Sequence, residues 1–232
     1  MIGLKVCTPQ RTMPPYKTVF RPSNSKLAGM NKTQFRSLKG WIDYDRGRLP
    51  SLTDNQRIDY FEKRLNIVLL VPLEHMYRDL MKKGNRRSSP LLCFSTCICC
   101  AIEALGKFST GKTGSNGAGT RFQAFVEGYM DPTFSTKTLN GKPYVKLLWT
   151  DFRNGLAHGF TIKQGGFEHC SSYFQEKPLD GFKKLEIDPT HFFEDFKKAI
   201  SQYLKQLRAA SPSDTLHKHF NKAFTDLYIN GL

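Results

Sequence analysis

Residues 143–159 read PYVKLLWTDFRNGLAHG, and the period of this stretch decides the fold. Val145, Leu148, Trp149, Phe152 and Leu156 stand at i, i+3, i+4, i+7 and i+11, the spacing of one face of an α-helix. Pro143 suits the opening of such a helix and Gly159 its left-handed terminating residue. At about 100° per residue, Asn154 and His158 lie one turn apart on one stripe. Asn154 is expected to hydrogen-bond the imidazole and set which nitrogen is free. Arg153, one position round the cylinder, can lean its long side chain toward the same stripe.

Helical signals extend in both directions from this segment. Thr53 and Gln56 have the form of a capping box, and Ile58, Phe61, Leu65, Val68 and Leu69 follow at helical spacing, with Pro72 expected to kink or split the run. Ser88-Ser89-Pro90 opens a helix to about Phe108 that is apolar nearly all round and is therefore expected to be the buried one. A Gly-rich linker over 109–119 leads to a short helix bearing Phe122, Phe125, Val126 and Tyr129. Asn140-Gly141 marks a turn. Asp188-Pro189 starts a long helix to about Ala209 with Phe192, Phe193, Phe196, Ile200, Tyr203, Leu204 and Leu207 inward, and Leu216, Phe220, Phe224 and Leu227 mark a last amphipathic helix. Between them, residues 160–187 alternate in short runs around Gln164-Gly165-Gly166, which predicts a small β-hairpin. The fold class expected is all-α, a helical bundle with a β-hairpin insertion. Its organisation is a flexible N-terminal arm over 1–52, anchored by Trp41 and Tyr44, then a leading helix or helix pair over 53–87. The bundle follows over 88–210, with its insertion at 160–187, and a C-terminal helix over 211–232.

The 232 residues support a hydrophobic core, and 39% apolar content excludes wholesale disorder. The 35 Lys and Arg against 20 Asp and Glu leave a net charge of +15, well beyond what solubility requires. A polyanion is the natural partner, nucleic acid before membrane. The most apolar run, 91–105, falls short of the roughly 20 residues of a spanning helix, so no membrane association is expected. No secretory signal is visible at the N-terminus, and the expected location is cytoplasmic. Cys93, Cys97, Cys99 and Cys100 do not make a disulfide framework or a zinc site and are read as small apolar residues of a buried helix. His217, His219, His169, His191 and His75 lack metal-ligand companions and are read as surface or interface residues; no metal or cofactor is expected.

An Arg, an amide and a His on one polar stripe suit RNA cleavage. A guanidinium grips phosphate oxygens in a fork, and a His near its ordinary pKa of about 6.5 moves protons at neutral pH. RNA carries its own nucleophile, the 2′-hydroxyl. Two proton-transfer groups are wanted and one motif offers one, so two copies of the helix across a two-fold axis would complete the site.

Arg153-Asn154-x-x-x-His158, followed by Gly and an aromatic residue, resembles the Rx4–6H signature of HEPN domains. The flanking pattern is also similar: an apolar helix ending Ile102-Glu103-Ala104-Leu105-Gly106, a short aromatic helix, the motif helix and a long final helix, together covering roughly 88–209. The resemblance implies an all-α HEPN-like bundle that dimerises into a metal-independent endoribonuclease, with Arg153 and His158 catalytic and Asn154 as the polar residue after the Arg. It also implies a toxin or antiphage defence role, an antitoxin or nucleotidyltransferase partner, or, as the alternative, a non-catalytic RNA- or nucleotide-binding scaffold. Lys112, Arg86 and Arg87 are candidate contacts to the RNA backbone, and Tyr173 in the insertion is a candidate for exposed base stacking. A third reading comes from Gly106 to Thr113, which matches GxxxxGK[ST] letter for letter. That phosphate loop requires a strand before it and a helix after the Lys, and neither is expected here.

Overall fold

One residue pair, Thr53 and Gln56, satisfies two opposite N–H groups where the first α-helix begins. Thr53 Oγ1 accepts from the Gln56 N–H at 3.4 Å while the Gln56 carboxamide accepts from the Thr53 N–H at 2.9 Å. This closed box fixes the first residue of α1 (Asp54–Arg64). The computed structural model divides the chain into residues 1–44 and 45–232. It describes residues 45–82, 88–159, 162, 165–179 and 181–231, without the side chains of 45–47, 81–82, 88–90 and 157–159. The expected anchors Trp41 and Tyr44 lie outside the described residues, as do Arg86 and Arg87. Within the predicted arm, Asp45–Ser51 forms a 3-10 helix whose Leu49 is buried.

After α1 the chain widens into a π-turn, Leu65–Leu70, before α2 (Val71–Lys82). Pro72 explains it: with no N–H to give, and a ring that crowds the preceding turn, proline is accommodated by a wider loop of helix. Next come α3 (Ser88–Thr110), α4 (Ala118–Tyr129) and the single turn α5 (Thr133–Thr136). A two-residue hairpin of β1 (Thr138–Leu139) and β2 (Lys142–Pro143) follows, turned by Asn140 and Gly141 at φ 49° and 76° as expected.

The decisive helix is continuous but not uniform. It consists of α6 (Tyr144–Leu147), a π-turn over Leu148–Arg153, and α7 (Asn154–Gly159). Long helices α8 (Pro189–Ala209) and α9 (Thr215–Phe224) complete the bundle. Asp188 caps α8, accepting from the His191 N–H at 2.9 Å, with Pro189 at its first position.

The core is aromatic. Phe94, Phe122, Phe125, Phe152, Phe192 and Phe196 are wholly buried, from α3, α4, the π-turn and α8. Phe94 meets Phe193 edge-on at 5.2 Å, and Phe167 joins Phe152 and Phe192 at 5.2 and 5.3 Å. Each such ring contributes about 1.5–3 kcal/mol by leaving water.

The insertion is a three-stranded sheet. Central β5 (Phe182–Ile187) pairs antiparallel with β4 (Phe174–Leu179) and parallel with β3 (Gly165–Phe167). The hairpin therefore turns between Leu179 and Phe182, with Gly181 at φ 83°, while the expected centre at Gly165-Gly166 lies in strand β3. An Asp-Gly pair is a stronger two-residue hairpin signal than a Gly-Gly pair whose second residue lies in a strand. Buried Glu186 is held between Lys177 and Lys184, the latter at 2.7 Å.

Three further expectations are corrected. On α3 only Cys99 is buried; Cys93, Cys97 and Cys100 are exposed, because a 3.6-residue turn leaves one stripe of this apolar helix facing outward. Leu91–Thr110 is long and apolar enough, by length and composition, to cross a membrane, and 50% of it is buried inside the fold. His217 is buried, 3.2 Å from the Asn221 amide and 3.8 Å from Asp54, whereas His191 is exposed as expected, 2.9 Å from Asp188.

Candidate functional site

Arg153 is the last residue of the π-turn, and this position decides what it touches. The guanidinium lies over the Trp149 ring, 4.8 Å from its centroid. One Nη donates to Asn154 Oδ1 at 2.9 Å and the other forms an ion pair with Glu103 of α3. Arg153 and Glu103 side chains are each only 18% exposed. A flat cation against an indole face, locked at two corners by oxygen acceptors, has little rotamer freedom left.

Asn154 Oδ1 is engaged by Arg153, so the two residues whose positions adjoin in the motif also meet through their side chains. His158 stands in α7, one turn beyond Asn154, and its side chain lies outside the described residues.

Glu103 is a member of this cluster that motif reading did not include. So is Trp149, assigned to the core stripe by its spacing but only half-buried, with one face turned to the guanidinium. Cys100, one turn before Glu103, completes the neighbourhood. Burial pushes its thiol up from the ordinary range, the Arg153 charge pulls it down, and the Glu103 carboxylate adds to the rise. No local signal announces Glu103, which is 50 positions away from Arg153.

Neither Lys112 nor Tyr173 has a described hydrogen bond or ion pair to Arg153, Glu103 or Trp149. Lys112 is exposed on the loop between α3 and α4. Tyr173 is not an exposed stacking platform: its hydroxyl donates to Asp195 Oδ2 at 2.9 Å, and its ring stacks on Phe174 at 4.0 Å. Burial, and then the Asp195 charge, hold its phenol well above the usual range. The sheet folds this residue inward against α8, a long-range packing that alternation alone does not reveal.

The GxxxxGK[ST] segment has a structural role at each glycine. Gly106 lies inside α3, where a Cβ would sit 2.7 Å from the Arg121 carbonyl carbon of α4. Gly111, at φ 65°, ends α3 against His219. The Thr113 hydroxyl donates to Asp226 at 2.6 Å. A helix feeds the loop where a nucleotide-binding loop needs a strand. No protein-family model, curated protein or solved structure matches this chain.

Proposed function

We propose that this chain is a metal-independent endoribonuclease of the HEPN type that works as a homodimer. The observation that carries the reading is the pinned guanidinium of Arg153, with Asn154 beside it and His158 one turn further along the same helix. The Rx4–6H resemblance and the net charge of +15 support it.

In this reading Arg153 binds the scissile phosphate and neutralises the charge that builds on its oxygens. One His158 takes the proton from the 2′-hydroxyl as that oxygen attacks phosphorus. The partner subunit's His158 gives a proton to the departing 5′-oxygen. The P–O5′ bond breaks as the P–O2′ bond forms, leaving a 2′,3′-cyclic phosphate and a 5′-hydroxyl. Glu103 and Trp149 act as positioning residues that keep the guanidinium plane fixed.

A second reading is favoured by the same ion pair. A carboxylate that already occupies one edge of Arg153 competes with phosphate for that edge, as suits a non-catalytic RNA-binding scaffold. Incubation with RNA in EDTA separates the two. The nuclease reading expects cleavage, reduced about 10²–10⁴-fold by His158→Ala with RNA binding retained. RNA binding by the unaltered chain without any cleavage overturns it in favour of the scaffold.

A further inference from the structure

The amino end of α4 is built without a cap. Its N-cap is Gly117, at φ 77° and with no side chain to accept a hydrogen bond, and no acidic residue occupies the first turn. The first helical bond is made by Arg121, whose N–H reaches the Gly117 carbonyl at 3.1 Å. The N–H groups of Ala118, Gly119 and Thr120 have no hydrogen-bond partner among the described residues, at the end of the helix where the dipole is positive.

Arg121 lies beneath this helix end. Its side chain is 1% exposed and leans toward the helix amino end, as side chains on helices do. One Nη donates to the Asn116 carbonyl at 2.5 Å and lies 3.9 Å from where a Gly117 Cβ would be. Among the described residues its Nε has no hydrogen-bond partner and no carboxylate lies within ion-pair distance. A buried cation without a counter-ion is costly to keep, and one placed under an uncapped helix end raises the pull of that end on an anion.

Trp149 links this place to the candidate site. A Cβ on Gly119 would lie 2.7 Å from the indole Nε1, so the indole N–H borders the first turn of α4. That N–H makes no hydrogen bond among the described residues, and the same ring carries the Arg153 guanidinium on its face.

We propose that the amino end of α4, with the Trp149 indole N–H and the buried charge of Arg121, holds a second phosphate of the RNA chain, beside the one gripped by Arg153. This inference rests on the ribonucleic-acid reading given above. Backbone N–H groups and a charged base recognise a phosphate without reading a nucleobase. The subsite thus sets where the strand lies and leaves its sequence unread.

The obvious variant, Arg121→Met, alters the core where α3 crosses α4, so an exposed position carries the test. Thr120→Glu puts a carboxylate at the third residue of α4, where it suits the helix and occupies the anion's place. Calorimetric titration with inorganic phosphate is expected to show saturable binding to the unaltered chain, weakened at least tenfold by Thr120→Glu and less than threefold by Thr120→Gln. Affinity for a short oligouridylate should fall at least tenfold in Thr120→Glu, with the thermal midpoint unchanged or raised. Absence of saturable phosphate binding, or equal binding by Thr120→Glu, overturns the site. Phosphate binding lost in Thr120→Glu with oligouridylate affinity unchanged overturns its assignment to RNA. If the unaltered chain binds phosphate but no RNA at all, the nuclease reading fails while the anion site stands.

Discussion

Arg153→Ala is expected to slow RNA cleavage by about 10²–10³-fold, the loss typical when one preorganised charge partner of a transition state is removed. The same substitution strands Glu103, whose side chain is 18% exposed, so a fold cost of about 1–3 kcal/mol should accompany it. The two effects can be separated. Adding Glu103→Gln removes the stranded charge and should recover most of the stability while leaving cleavage as low as before. Arg153→Lys keeps the charge but lacks the planar fork that serves Asn154, Glu103 and a phosphate together, and it should fall at least tenfold. Mixing Arg153→Ala chains with His158→Ala chains tests the two-fold arrangement. Hybrid dimers hold one Arg153 and one His158, where each parent lacks one of the two altogether, and should show an activity different from that of either variant alone, whereas activity confined to a monomer by analytical ultracentrifugation would end the dimeric proposal.

Gly106→Ala is expected to destabilise the fold by about 3 kcal/mol, the upper part of the range for a forced core insertion. The new methyl would lie 2.7 Å from the Arg121 carbonyl carbon and 3.1 Å from its Cβ. The first is backbone of a packed helix and the second is bonded directly to it, so neither can swing aside. For a chain of this size, that cost lowers the thermal midpoint by roughly 6–12 °C. Gly128→Ala in α4 is the control. A Cβ there meets nothing within 4 Å, so the substitution should stabilise by about 0.5–1 kcal/mol through helix propensity alone. A midpoint for Gly106→Ala equal to that of the unaltered chain would show that α3 and α4 do not cross backbone to backbone.

Local chemistry left clear marks in the chain. The Thr53–Gln56 box, the Asp188-Pro189 start and the Asn140-Gly141 turn each complete their hydrogen bonds or torsions within a few residues, so their signals are legible without knowing the rest. The aromatic stripes of α4 and α8 were legible for the same reason: period alone states which face is apolar, and Phe122, Phe125, Phe192, Phe193 and Phe196 are buried accordingly.

What the order of residues determined by itself is the helical class, most element boundaries and the presence of Arg153, Asn154 and His158 on one helix. The tertiary structure alone decided that Glu103 and Trp149 clamp that arginine, that Tyr173 turns inward to Asp195, that β3 joins β5 in parallel, and that three of the cysteines on α3 face outward. The physical reason is common to all four. Each outcome depends on contacts between segments distant in the chain, or on which side of a helix a neighbour covers, and hydrophobic period records only that a face is apolar and not what lies against it.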